Sequence, residues 1–363
     1  MDNKKPKILQ QFFDKQINNG GPATGAILLL NSNLKEKYNF ITMDKTYPFQ
    51  GISLKLFFYF YRTIKYHKPD IVHIRGVQSV GFFGVLAAKL LRCKVVMSIH
   101  GMSIDSSSTH GVKRLLYKFI FERFALRKAD LVYCVCEYAC KRPYIQNNAK
   151  YLYGYIHNAA PKFENIINNK NIKSYRDKYG IIEDDIVVTI ISRVTQEKGL
   201  GVLIKSMPTI LETNNKVKFI IAGEGDYLPI VEKNLDIYIK TNRVQLLGKI
   251  SNVNEVLLAS DIFVFPTFRE NLSNSLLEAS VTGLPIITTN VGGNPEIIIN
   301  KKTGILIEPN NTEQLIRAVL TLAGNRDLRM KYGKNALKYM EDHFSQNYVF
   351  EQMSNMYDSL LQK

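Results

Sequence analysis

Short apolar runs alternate with helix-period segments along almost the whole chain. In the first half the runs at 7–13, 38–43, 70–74, 94–99 and 130–135 have strand length, and a helical pattern separates each from the next. The second half repeats the scheme, with runs at 186–191, 217–222, 244–246, 261–265, 285–288 and 304–307, and with helices predicted at 199–212 and 312–323. Strands that alternate with helices in this way predict βαβ units. The fold class is therefore α/β, built from doubly wound parallel sheets.

Breaks in the pattern suggest the domain plan. Residues 14–24 read as a polar loop with Gly20, Gly21 and Pro22, before a helix beginning near Gly25. Residues 156–173 are rich in Asn, contain Pro161 and lack periodicity, which suits a linker. Two domains are thus expected, 1–163 and 164–344, as a chain of 363 residues allows. Residues 345–363 show a helical pattern with no strand to follow, and they are expected to cross back onto the first domain.

Composition adds less than its distribution. An apolar fraction of 45% and a charged fraction of 22% are those of a globular protein, and the densest apolar run, 56–61, is far too short to span a bilayer. No signal-peptide pattern opens the chain, so a cytoplasmic location is expected. Cys93, Cys134, Cys136 and Cys140 all lie in the first half; their spacing is not a zinc pattern, and reduced core thiols are expected. The net charge of +16 is segregated: residues 1–163 carry 25 Lys and Arg against 9 Asp and Glu, while the remainder balances. An anionic membrane surface, a nucleic acid or a merely solvated basic face would each suit such a half.

The densest chemistry lies in residues 268–278. Glu270 stands in a polar loop and Glu278 inside an apolar-periodic segment, with Asn271, Ser273, Asn274 and Ser275 between them to start a helix. At about 1.5 Å of rise per residue, Glu278 would stand ~8 Å along the axis from Ser273. That separation suits a ligand with hydroxyls at both ends and a pyrophosphate between, its phosphates facing the helix start. As a bare pair, the two carboxylates also read as the acid and base of a glycoside hydrolase.

Other candidates follow strand ends, where open parallel sheets bind ligands. Arg193 and Lys198 are two cations able to neutralise a diphosphate, or else members of a salt-bridged loop. Gly223 and Gly225 allow either close approach of a ligand or a tight strand-to-helix turn. Gly248, Lys249 and Ile250 offer main-chain groups and an apolar side chain to a base, or simply turn the chain.

Taken in order, Arg193 with Glu197-Lys198-Gly199, Ala222-Gly223-Glu224-Gly225, Leu247-Gly248, residues 261–266 and the Glu270/Glu278 pair resemble the pattern of glycosyltransferase family 4. The resemblance covers nearly all of residues 185–310 and extends more loosely over the first half. It implies the GT-B architecture, two Rossmann-like domains facing across a cleft, with a UDP- or GDP-linked sugar held mainly by the second. It also implies transfer of a hexosyl or N-acetylhexosaminyl group with retention, with no metal and no cofactor. By the same resemblance Glu278 would bind the ribose hydroxyls and Glu270 a hydroxyl of the donor sugar. Arg193 and Lys198 would hold the diphosphate, with the backbone of Leu272 and Ser273 completing its cradle. Gly20 and Gly21 match the glycine pair of the first domain that nears the phosphates, and His100 the active-site histidine that touches the donor sugar. Glu270 is a candidate nucleophile, beside a front-face route that needs none. Asn271 departs from the family's usual Gly, and tolerance of Asn for the left-handed region is expected to preserve the turn.

The segments 111–128 and 53–67 interleave apolar and basic residues, as a helix lying on an anionic bilayer would, or as an ordinary domain helix would. With the charge, they suggest a glycan or polyprenyl-diphosphate-linked acceptor in polysaccharide biosynthesis and a peripheral place on the inner membrane surface. Two other readings are an epimerase or hydrolase of the same architecture and a basic nucleic-acid-binding protein. No recognised nucleic-acid motif supports the last, and nucleic acid is not expected as a partner.

Overall fold

A computed structural model of the chain describes residues 5–13, 21–43, 52–105, 111–162 and 170–362. The chain separates into two compact units, Met1–Ala159 with Gln346–Lys363, and Ala160–Ser345.

The first unit is built on a six-stranded sheet of β1 (Lys7–Phe13), β2 (Asn39–Met43), β3 (Ile71–Arg75), β4 (Lys94–Ile99), β5 (Leu131–Cys134) and β6 (Leu152–Tyr155). All pairs are parallel and the order is β2-β1-β3-β4-β5-β6. Val72 on β3 lies opposite Leu9 on one side and Val95 on the other. Each of these side chains is sealed from water. Burial on both faces is why the central strands read as continuous apolar runs.

The helix Gln346–Leu361 belongs to this unit. Its Val349, Phe350, Met353, Met356, Tyr357 and Leu360 share one core with Ile8, Ile71, Val96 and Leu131. Lys94 also donates to the carbonyl of Leu360 at 3.1 Å.

The second unit holds β7 (Ile186–Ile191), β8 (Val217–Ala222), β9 (Val244–Gly248), β10 (Ile262–Phe265), β11 (Ile286–Thr289) and β12 (Gly304–Ile307). They too are all parallel, in the order β12-β11-β10-β7-β8-β9. The strand order reverses between β1 and β3 in the first sheet and between β7 and β10 in the second. In doubly wound sheets the crevice at the carboxyl end of such a reversal is where ligands sit.

Several local expectations are corrected. β6 was not anticipated, because it is a short, half-exposed edge strand interrupted by Gly154 and shows no apolar run. The helix expected near Gly25 begins at Gly21, with Pro22 in its first turn, where its fixed φ and missing N–H cost nothing. The end of the expected linker is helical over Lys170–Lys178, a segment too polar to register as an apolar face. Helix 111–128 contains a π-helical turn over Tyr117–Glu122.

Candidate functional site

The reversal between β7 and β10 gathers most of the candidate residues of the second unit. After β7 the chain passes Ser192 and Arg193, makes a short turn over Gln196–Lys198 and enters the helix Leu200–Thr213. After β10 it runs through residues 266–273 into the helix Asn274–Val281. These two connections are stitched together: the Phe268 N–H donates to the Glu197 carbonyl at 2.8 Å, and Thr267 Oγ1 donates to the same carbonyl at 3.1 Å. Thr289 Oγ1 at the end of β11 donates to the Thr267 carbonyl at 2.6 Å.

Held by that stitching, Lys198 Nζ lies 2.7 Å from Glu270 Oε2. Both side chains are largely shielded, at 14% and 18% exposure, and the ammonium also stands 5.2 Å from the centre of the Phe265 ring. Arg193 is different. Its guanidinium is exposed and pairs with Glu197 at 3.0 Å. Both cations are therefore ion-paired, Arg193 at the surface and Lys198 in a shielded position.

Glu278 is half-buried on the helix Asn274–Val281. Among the described residues it meets no hydrogen-bond or ion-pair partner, and burial pushes its carboxyl up to about 7. The helix is capped by Ser273, whose Oγ accepts from the Leu276 N–H at 3.4 Å. The N–H groups of Leu272, Ser273 and Ser275 find no acceptor among the described residues, as an anion site at a helix start requires.

Two readings of the glycines change. At Gly223 φ is +136°, and a Cβ there would stand 1.8 Å from the Ser192 carbonyl oxygen; at Gly225 it would stand 2.2 Å from that of Val194. Both glycines thus admit a neighbouring strand connection of the protein itself, which is the tight-turn alternative. The Val194 N–H accordingly donates to the Glu224 carbonyl at 2.8 Å. Asn271 is not among the positive-φ residues of the described chain. Its carbonyl is held by the Gly293 N–H at 2.9 Å, and the left-handed conformation falls to Gly292, at φ +57°. Sequence reasoning missed Gly292 and Gly293, although a Gly pair after a strand and before Pro295 is a turn signature.

Past β9, Lys249 is exposed and Ile250 half-buried beside Gly248, whose φ is +61°. In the first unit, Gly20 lies outside the described residues and Gly21 opens a helix. His100 follows β4, with its Nε2 3.1 Å from Ser98 Oγ. Burial, and then the charge of Arg75, push it down to about 3. Cys134, Cys136 and Cys140 are buried free thiols and Cys93 is partly exposed.

Comparisons with known proteins bear on the family and the fold. The family model "Glycosyl transferases group 1" matches residues 171–339, and "Glycosyltransferase Family 4" matches residues 37–142. A UDP-Gal:alpha-D-GlcNAc-diphosphoundecaprenol alpha-1,3-galactosyltransferase of Escherichia coli is 30% identical over 283 residues, 74% of this chain and 70% of that protein. The chain belongs to the group 1 glycosyltransferases. The capsular polysaccharide biosynthesis glycosyltransferase CapM of Staphylococcus aureus is 25% identical over 304 residues, 82% of this chain and 78% of that one. Among solved structures, Anabaena HepE in complex with UDP and glucose superposes with a TM-score of 0.79 over 98% of this chain and 100% of its own, at 17% identity. That likeness shows a GT-B fold, with its two parallel α/β sheets.

Proposed function

We propose that this glycosyltransferase moves a hexosyl or N-acetylhexosaminyl group, with retention, from a UDP- or GDP-linked donor to a hydroxyl of a lipid-linked glycan. The observation that carries the donor side is Glu278. A half-buried carboxyl with no partner among the described residues, on a helix at whose start the Leu272, Ser273 and Ser275 N–H groups find no acceptor among those residues, suits a diol at one end and a diphosphate at the other. Lys198, and Arg193 beside it, would neutralise the departing diphosphate. Glu270, fixed by Lys198, would accept a hydrogen bond from a hydroxyl of the transferred sugar. Such a division of labour needs no metal and no cofactor. Gly20, Gly21 and His100 are assigned to the donor by family resemblance.

The acceptor reading draws on the relatives. The Escherichia coli enzyme is named for a diphosphoundecaprenol acceptor, and a Saccharomyces cerevisiae relative for phosphatidylinositol. Each of these acceptors joins a lipid to a phosphate. The surface of the first unit suits such company: on 111–128, Val112, Leu115, Phe119 and Ile120 are exposed among Lys113, Arg114, Lys118 and Arg123. The opposite side of the same segment packs inward, Phe121 and Phe124 lying 4.5 and 4.8 Å from the ring centre of Phe82. No described helix is long and apolar enough to cross a membrane. A peripheral place on an anionic cytoplasmic bilayer face follows from this reading.

Thermal stabilisation by a panel of UDP- and GDP-sugars tests the donor. No stabilisation by any of them, or full stabilisation of Glu278→Gln, would count against it. Co-sedimentation with phosphatidylglycerol vesicles at low and high salt tests the surface, where indifference to anionic lipid removes the membrane assignment.

A further inference from the structure

The reversal in the first sheet holds a cation with no counter-ion among the described residues. Arg75 ends β3, opposite Ser98 of β4. It is only partly exposed, yet among the described residues it pairs with no carboxylate. Among the described residues its side-chain hydrogen bond, from Nη1 to Gln10 Oε1 of β1 at 2.6 Å, is to a neutral amide. Among the described residues, the two histidines coupled to it add no negative charge. His73 is held well below its ordinary value and His100 down to about 3, each by burial first and by the Arg75 charge second, so both are neutral. Removing a guanidinium from water without a compensating anion is costly.

The protein nonetheless fixes this guanidinium through a chain of hydrogen bonds. Arginine can only donate, so the Gln10 oxygen faces it and the Gln10 amide nitrogen donates onward to Tyr357 Oη at 3.1 Å. Tyr357 Oη in turn lies 2.6 Å from His73 Nδ1, and Tyr133 Oη lies 3.3 Å from His73 Nε2, a pair of contacts that a neutral His73 satisfies in either tautomer. The Gln11 side chain accepts from the Arg75 N–H at 3.0 Å, and a Cβ built on Gly76 would meet none of the described residues within 4 Å. A rigidly aimed, uncompensated guanidinium at a sheet reversal fits a bound oxyanion.

We propose that Arg75 binds a phosphate group of the acceptor, and that Tyr357 positions it through Gln10. The proposal rests on the reading of this chain as a transferase with a phosphate-bearing acceptor. Calorimetric titration of the full chain at about 0.15 M salt separates the two claims. UDP is titrated first; if it fails to bind, the donor reading falls, and the Arg75 site is then read on protein without UDP. With UDP saturating, inorganic pyrophosphate should still bind. Arg75→Gln should weaken that second event about tenfold or more, the loss of a charged hydrogen-bonding group. Arg75→Lys, which keeps the charge without the fork, should fall between, and it serves alone if the Gln variant does not melt cooperatively. Tyr357→Phe should weaken pyrophosphate a few-fold and leave UDP unchanged. Equal pyrophosphate affinity in wild type and the Arg75 variants overturns the site. So does a parallel loss of UDP affinity in those variants, which would give the arginine to the donor diphosphate.

Discussion

Glu270 Oε2 accepts from Lys198 Nζ at 2.7 Å, and the two side chains shield one another from water at the reversal of the second sheet. Two residues singled out for adjacent parts of the donor, one for its diphosphate and one for its sugar, are therefore a single electrostatic unit before any ligand arrives. Removing Lys198 both deletes a diphosphate donor and leaves Glu270 uncompensated. Lys198→Ala is expected to lower kcat by roughly 10²-fold or more. Glu270→Gln should lower it as well, and the double variant should lose less than the two single losses multiplied together. A double-mutant cycle on kcat checks this; strict additivity would show that the pair does not act together.

With Glu278 on the donor as proposed, donor binding should depend on pH. Its carboxyl is held at about 7, above the ordinary carboxylate range, so the unliganded protein is mostly protonated there at pH 6. Ribose hydroxyls would donate to the ionised form, so binding should release a proton and tighten as pH rises from 6 to 8, then level off. Calorimetry of UDP in buffers of different ionisation enthalpy measures that proton, and Glu278→Gln should abolish it. The same shift has a stability sign. The unfolded carboxyl ionises first, so this group's contribution is present at low pH and is lost as pH climbs toward 7.

His100 should stay uncharged through the working range. With its imidazole held down to about 3, it is neutral from pH 5 upward and can act only as a hydrogen-bonding group. The kcat/KM profile of His100→Asn between pH 5 and 9 should keep the wild-type shape at a lower level, by about tenfold for one lost hydrogen bond. A limb near pH 6 that vanishes in the variant would contradict the assignment.

Gly292 and Gly248 form a matched pair of left-handed glycines, at φ +57° and +61°. A Cβ on Gly292 would stand 1.7 Å from the Glu270 carbonyl oxygen, whereas one on Gly248 meets nothing within 4 Å. Gly248→Ala should cost only the backbone strain, about 1 kcal/mol. Gly292→Ala should cost clearly more and also depress turnover, because the Glu270 loop must move. Denaturant melts and kcat of the two variants provide the comparison.

The central strands were legible in the sequence because both of their faces are buried, so β4, β7, β8 and β10 show as mostly apolar runs. Elements with one wet face were not: β6 is an exposed-edge strand, and Lys170–Lys178 is almost wholly polar. At the site, residue types were readable but partnerships were not. Nothing in the spacing of Lys198 and Glu270 announces an ion pair, because it is formed by two connections that the order of β7 and β10 brings side by side. Gly223 and Gly225 were readable as close approaches, though the approaching group is protein.

The helix Gln346–Leu361 supplies six buried apolar side chains to a core whose other members lie before residue 160. At about 1.5–3 kcal/mol for each fully buried side chain, its gross contribution rivals the net stability of a whole domain. Translation delivers that helix after every residue of the second unit. The nascent first sheet therefore waits on the ribosome with one apolar face uncovered while the second unit is being made. Maturation of Arg75 waits equally, because Tyr357, at the far end of its hydrogen-bond chain, arrives with that last helix.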